Sequence, residues 1–171
     1  MKEDLEKLSK EELIEYIEDI SKNWLALDGT WFQAVESDLG IEKAIEYDKK
    51  AWEQFSVIEA KRIMQRFNIP EGGGIPALIK VLKFRIYANI NKQEIVEVSD
   101  KRCVFRMNNC RVQYARNQKG LPDFPCKDVG LIEYILFAKT IDPRIKANCI
   151  CCPPDPHPKE YYCAWEFVLK E

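Results

Sequence analysis

The apolar residues of this chain change period partway along, and that change limits the fold more than any single motif does. Leu13, Ile17, Ile20, Trp24, Leu27, Trp31 and Val35 recur at steps of four and three, which places them on one helical face. The stripe crosses Asp28-Gly29 without losing phase, so either one long helix carries a weak point there or two helices meet. Ser9-Lys-Glu-Glu12 fits a capping box at its start, and Gly40 suits its end. Ile41, Ile45, Trp52, Phe55, Ile63 and Phe67 then lie near one face of a second helix, which stops before Pro70. Past residue 90 the period becomes two. QEIVEVS and RCVFRMN alternate and are rich in β-branched and aromatic residues, so they read as strands joined by a turn at Ser99 to Lys101.

The remaining segments complete an alternating layout. EGGGIPALIKVLKFRIY lacks the preceding strand and the Gly-Lys-Ser/Thr of a phosphate loop. It reads as a connector and a helix with Pro76 in its first turn, running to about Tyr87. CRVQYARNQKGLPDFPC allows one or two helical turns before Gly120 and Pro122 break it. A helix from about Lys127 to Ile141 follows, with Leu131, Ile132, Ile135 and Leu136 on its apolar face, and then IKANCICC and YYCAWEFVLK as a last antiparallel pair. The expected class is α+β: N-terminal helices packed with a four-stranded antiparallel sheet whose hairpins are separated by a helix. Residues 1–70 form a helical segment and 71–171 an α+β segment, together one integrated domain.

Composition narrows the function. A formal net charge of −2 over 171 residues argues against general nucleic-acid binding. Arg102, Arg106, Arg111 and Arg116 read as a solvated face rather than a basic patch. LIEYILFA is short and carries Glu133, so no segment reads as membrane-spanning. The acidic, amphipathic N-terminus is not a signal peptide, which points to a cytoplasmic setting where thiols stay reduced. The long apolar stripe suits a homodimer through the N-terminal helices as well as packing within one chain.

Seven cysteines remain to be explained, four of them in NCICCPPDPHPKEYYCAWEF. The odd count and the compartment argue against a disulfide framework. Cys103 shares a strand face with Phe105 and Met107 and reads as a small core residue. In the strand before the prolines Cys149 and Cys151 share a face, and Cys152 joins Cys149 only if the chain bends. A Cys149-x-x-Cys152 turn with Cys163 across the hairpin supplies three sulfurs for a zinc ion, and Cys126, just before a helix, supplies a fourth whose thiolate the helix N-terminus favours. The competing reading is that all seven are inert, buried thiols. His157, among Asp155, Pro156 and Pro158, reads as an exposed loop residue.

NWLALDGTWFQAVESDLGIEKAIEYDKKAW, NCRVQYARNQKGLPDFPC, CICCPPD and YYCAWEF resemble an uncharacterised prokaryotic family related to the 2-amino-thiazoline-4-carboxylate hydrolase-like proteins. More distantly, the C-terminal half is similar to the 4-vinyl-reductase-type small-molecule-binding domains, which share the fold of TRAPP vesicle-tethering subunits. The second resemblance implies zinc ligands at Cys126, Cys149, Cys152 and Cys163, with Cys149 standing where those domains have an acidic ligand. Four thiolates make a closed, structural site rather than an open catalytic one. The first resemblance implies Cys110 as an alternative ligand, in place of Cys149 or Cys152.

The leading expectation is therefore a zinc-binding α+β protein that holds a small molecule or a partner beside the metal. Trp24, Trp31, Phe32 and Trp52 are candidate pocket residues, with core packing as their plainer role. The alternatives are a small-molecule hydrolase, using a thiolate or metal-activated water with Glu133 or Glu166 as base, and an iron–sulfur protein.

Overall fold

A computed structural model describes residues 2–171. After a single turn, α1 (Lys2–Leu5), two long helices run antiparallel: α2 (Lys10–Leu39) and α3 (Ile41–Phe67). The capping box forms at the start of α2: the Ser9 hydroxyl accepts from the Glu12 amide at 3.1 Å, and the Ser9 amide donates to the Glu12 carboxylate at 2.8 Å. Gly40 alone separates the two helices, at φ 82°, a left-handed conformation that favours glycine. The helix α4 (Gly74–Leu82) and a 3-10 turn (Ile86–Asn89) lead to the hairpin β1 (Lys92–Val96) and β2 (Arg102–Asn109). Then come α5 (Arg111–Gln118), α6 (Lys127–Ile141), and the hairpin β3 (Ile145–Cys151) and β4 (Cys163–Leu169). The sheet is antiparallel throughout, in the order β1-β2-β4-β3, so the α+β class stands. No described helix is long and apolar enough to cross a membrane.

One face of the sheet carries the core. Phe105 pairs with Trp165 and Cys103 with Phe167, and residues paired directly across antiparallel strands share a face. Against that face lie Phe137, Ala138 and Ile141 of α6, Ile75, Leu78, Val81 and Leu82 of α4, and Ala60, Ile63 and Met64 of α3, all buried in one cluster. The N-terminal helical segment and the sheet thus share a core. α6 comes closest to the sheet at Gly130, where an added Cβ would sit 2.7 Å from a Trp165 ring carbon. The connector glycines close the other end. The Gly72 amide donates to the Ile141 carbonyl, and the Gly74 amide donates to the buried Asp142 carboxylate at 3.0 Å. Arg144 also donates to Asp142, and it holds that carboxyl down at about 2.

Three expectations need correction. α4 ends at Leu82 rather than near Tyr87, because the chain turns to bury Arg85 against Glu59 and Glu133. The buried face of α6 is Gly130, Glu133, Tyr134, Phe137, Ala138 and Ile141, while Leu131, Ile132, Ile135 and Leu136 are half-buried beside it. α2 passes unbroken through Gly29, but it is turned from the expected face. Ser21 and Leu25 are buried and Asp28 and Phe32 half-buried, while Ile17, Ile20 and Leu27 are exposed and Trp31 is 71% exposed. Ser21 points inward because its hydroxyl accepts from the Asn89 side chain at 3.1 Å.

Candidate functional site

Beside the apolar core lies a cavity of about 150 Å³, bounded by α2, α3, α5, α6 and the adjoining ends of β2 and β4. An aromatic group forms part of its frame. Trp52 and Tyr87 stack at 5.8 Å, and Trp24 stands edge-on to both, at 6.4 Å and 5.7 Å. Phe32 meets Phe124 edge-on at 5.0 Å. Trp52 and Phe32 line the cavity as the sequence suggested. Trp24 packs one layer behind, and the exposed Trp31 has no place on the wall.

The sulfur wall draws on the start of one strand and three connecting segments. Cys126 is the first-turn cap of α6, Cys163 opens β4, Cys110 lies between β2 and α5, and Cys152 follows β3. All four line the cavity. The Sγ atoms of Cys126 and Cys152 are 3.4 Å apart, and Cys152 also contacts the Cys163 thiol. The register of β3 explains how Cys152 arrives there. Cys149 pairs with Trp165 and Cys151 with Ala164, so the bulge between them moves Cys151 to the other face of the sheet. The next residue, Cys152, then returns to the core side, where it joins the buried cluster. Cys149 also packs against that cluster, but it does not line the cavity. The structure therefore gathers Cys126, Cys152 and Cys163 with Cys110, and leaves Cys149 behind the wall.

Cys110, Cys152 and Cys149 are held as neutral thiols. Burial pushes Cys110 up to about 12. The thiols of Cys126 and Cys163, and then burial, push Cys152 up as well. Burial raises Cys149 to about 11. Among the described residues, no three His, Cys, Asp or Glu side chains stand in a metal-holding arrangement. A soft metal entering here must therefore displace protons and draw the sulfurs inward. The seven cysteines are all free thiols. His157 stays in its loop, with Nδ1 2.8 Å from the Pro158 carbonyl oxygen, away from the cavity lining.

The opposite wall is acidic, and this the residue pattern did not suggest. Asp28 of α2, Asp48 of α3 and Glu133 of α6 all line the cavity. Glu133, named from the sequence as a candidate base, is buried and ion-paired with Arg85 Nη1 at 2.6 Å. Arg85 is itself buried, with its Nε donating to Glu59 at 2.8 Å and its guanidinium 4.4 Å from the centre of the Phe137 ring. Desolvation raises Glu133, an effect that Arg85 partly offsets. Desolvation also raises Asp28, and with the nearby charges of Asp28 and Glu133 it carries Asp48 up to about 7. Arg116, also on the lining, is bound to Glu36 at 2.8 Å and to the Pro122 carbonyl. Gln113 fixes the loop between α5 and α6: its side-chain amide exchanges two hydrogen bonds with the Phe124 backbone and reaches Cys126 Sγ at 3.6 Å.

The other candidate residues have structural partners. Glu166 accepts from Arg102 and from Asn148 on the far face of the sheet. Arg102 is shared between Glu97 and Glu166, and Arg106 lies over the Tyr161 ring, so these arginines form no free basic patch. Asp28 and Asp48 carried one legible signal. Asp28 falls in helical phase with Ser21, Leu25 and Phe32, a polar residue on an inward face. The partnership with Asp48 had no local trace, since it joins two helices.

Residues 6–169 match DUF6125, a family of unknown function, and the chain belongs to that family. No curated protein and no solved structure matches it.

Proposed function

We propose that this protein binds a small molecule in the cavity between its paired N-terminal helices and the sheet. The supporting observation is the cavity itself: aromatic sides, a wall of four thiols, and a facing wall with two carboxylates that, among the described residues, no cation neutralises. Sites for small ligands are concave and largely apolar, with a few convergent polar groups, and a cavity near 150 Å³ is of a size that holds one aromatic ring. The setting is cytosolic, where the thiols remain reduced. Ligand-observed NMR with a library of one-ring compounds tests this on the wild type and on Gly29→Leu, whose side chain projects from a cavity-lining position with nothing within 4 Å. Hits that vanish in the variant support the reading. Hits that persist unchanged place binding elsewhere.

The 3.4 Å contact between Cys126 and Cys152 favours a second reading, in which the same thiols take up zinc. Thiolates bind zinc at about 2.3 Å in a tetrahedral set, and Cys110, Cys126, Cys152 and Cys163 are the cavity-lining candidates. Cys149 replaces Cys110 if the zinc arrangement implied by the small-molecule-binding domains holds. Elemental analysis of tag-free protein, with thiol titration before and after chelation, separates the outcomes. One zinc per chain and four thiols released on stripping support the site, and loss of zinc in Cys110→Ser but not Cys149→Ser assigns the fourth ligand. Absence of bound metal, with all thiols titrating alike, removes this reading and leaves the cavity reading intact. A four-thiolate iron–sulfur cluster would announce itself by visible absorption in the same sample. Hydrolysis has less support, because His157 lies outside the cavity lining and Glu133 is tied to Arg85.

A further inference from the structure

The acidic wall of the cavity selects among ligands. Asp28 and Asp48 project from different helices, yet both line the same space. Asp48 receives one hydrogen bond, from the Trp52 side chain. Among the described residues neither has a cationic partner, whereas the buried Glu59 and Glu133 share Arg85 and the half-buried Glu36 holds Arg116. Acids withdrawn from water in this molecule are otherwise paired, and the two half-buried aspartates on the cavity wall are exceptions. Carboxylates withdrawn from water without a counter-charge are costly, and a bound cation removes that cost.

A second unmatched group lies on the sheet side. Trp165 is wholly buried and lines the cavity, and its indole N–H has no hydrogen-bond partner among the described residues. A buried indole N–H ordinarily finds an acceptor. The helix wall thus lacks a cation and the sheet wall lacks an acceptor. Trp52 and Tyr87, stacked on each other at 5.8 Å, also line the space, and aromatic rings attract positive charge.

Resting on the cavity reading above, we infer that the natural ligand is a small, one-ring organic cation, an amine or amidine that also carries a hydrogen-bond acceptor. Its charged nitrogen sits between Asp28 and Asp48, and its ring lies along the aromatic frame. The raised acidity constant of Asp48 adds a signature. Asp28 faces it from α2, Glu133 from α6, Tyr87 from the 3-10 turn and Trp52 from its own helix, and Arg85 is committed to Glu59 and Glu133. A cation favours ionised Asp48, so binding releases a proton below about pH 7 and tightens as pH rises through that value.

Calorimetric titration of the full chain with three compounds of one shape tests the inference: meta-picolylamine, neutral nicotinyl alcohol and anionic nicotinate. The amine is expected to bind at least about tenfold tighter than the alcohol, the scale of one charged hydrogen bond, with nicotinate weakest. In Asp28→Asn/Asp48→Asn that advantage disappears while affinity for the alcohol is retained. The retained alcohol binding also shows that the variant is folded. If the alcohol or nicotinate matches the amine in the wild type, or the amine keeps its advantage in the variant, the cation inference is overturned and the cavity reading survives. If none of the three binds, the cavity reading fails and the inference falls with it.

Discussion

The two sides of α6 are built on different terms. Toward the sheet it packs Phe137, Ala138 and Ile141 into a cluster with Ile75, Leu78, Ile145 and Phe167, all fully buried and all apolar. Toward α3 and the cavity it presents Val129 and Glu133 to a region where Trp52, Phe124 and Gln113 surround a space instead of filling it. The first side follows the ordinary rule of close packing. The second combines hydrophobic area with carboxylates, thiols and an ion pair, which close packing alone would not select.

The widest test of that contrast is a pair of truncations. Phe137→Ala should cost about 3–5 kcal/mol in denaturant unfolding, because its surroundings cannot collapse into the gap. Phe32→Ala, half-buried beside a space that already exists, should cost clearly less. Equal losses would erase the distinction. Gly130→Ala comes next, at about 1–3 kcal/mol, since its methyl group must displace the Trp165 ring that forms part of the cavity wall.

Two aspartates then separate the regions by pH. Asp142, held down at about 2, stabilises the fold at neutral pH, and its contribution fades as pH falls from about 4 toward 2. Asp142→Ala leaves the Gly74 amide without its acceptor and should cost about 1–3 kcal/mol at pH 7 and progressively less in acid. Asp48 behaves oppositely. Between about pH 4 and 7 the folded chain keeps a proton there that the unfolded chain has lost, so stability falls as pH rises through that window. Asp48→Asn should therefore raise the melting temperature at pH 8 and leave it nearly unchanged at pH 4. A variant that melts below the wild type at pH 8 would show that Asp48 supports the fold rather than the cavity.

The contrast also explains what could be read from residue order. Period and punctuation located nearly every element: the capping box at Ser9, the break at Gly40, the bounds of α6 and the four strands all follow local rules. The inward faces were harder. α2 offers apolar residues on more than one side, so counting them selected Ile17, Leu27 and Trp31, while contact with Asn89 decided for Ser21. The thiol wall was partly legible because Cys126, Cys152 and Cys163 sit at element boundaries. The return of Cys152 to the core side depends on a bulge that sequence spacing does not show. The acidic wall was the least visible, since Asp28, Asp48 and Glu133 come together only through helix packing.

Gly29 lies near the middle of a 30-residue helix, on the cavity lining, with nothing within 4 Å of where a methyl group would stand. No turn, left-handed backbone or crowding neighbour requires a glycine there. Alanine would strengthen the helix by roughly 1 kcal/mol, so the chain holds a position that is easily improved for folding. On the proposed reading, the missing methyl is volume kept free for a ligand. Selection for thermal resistance alone would fill it early, and the variants that emerged hardier would be the ones that had closed the door.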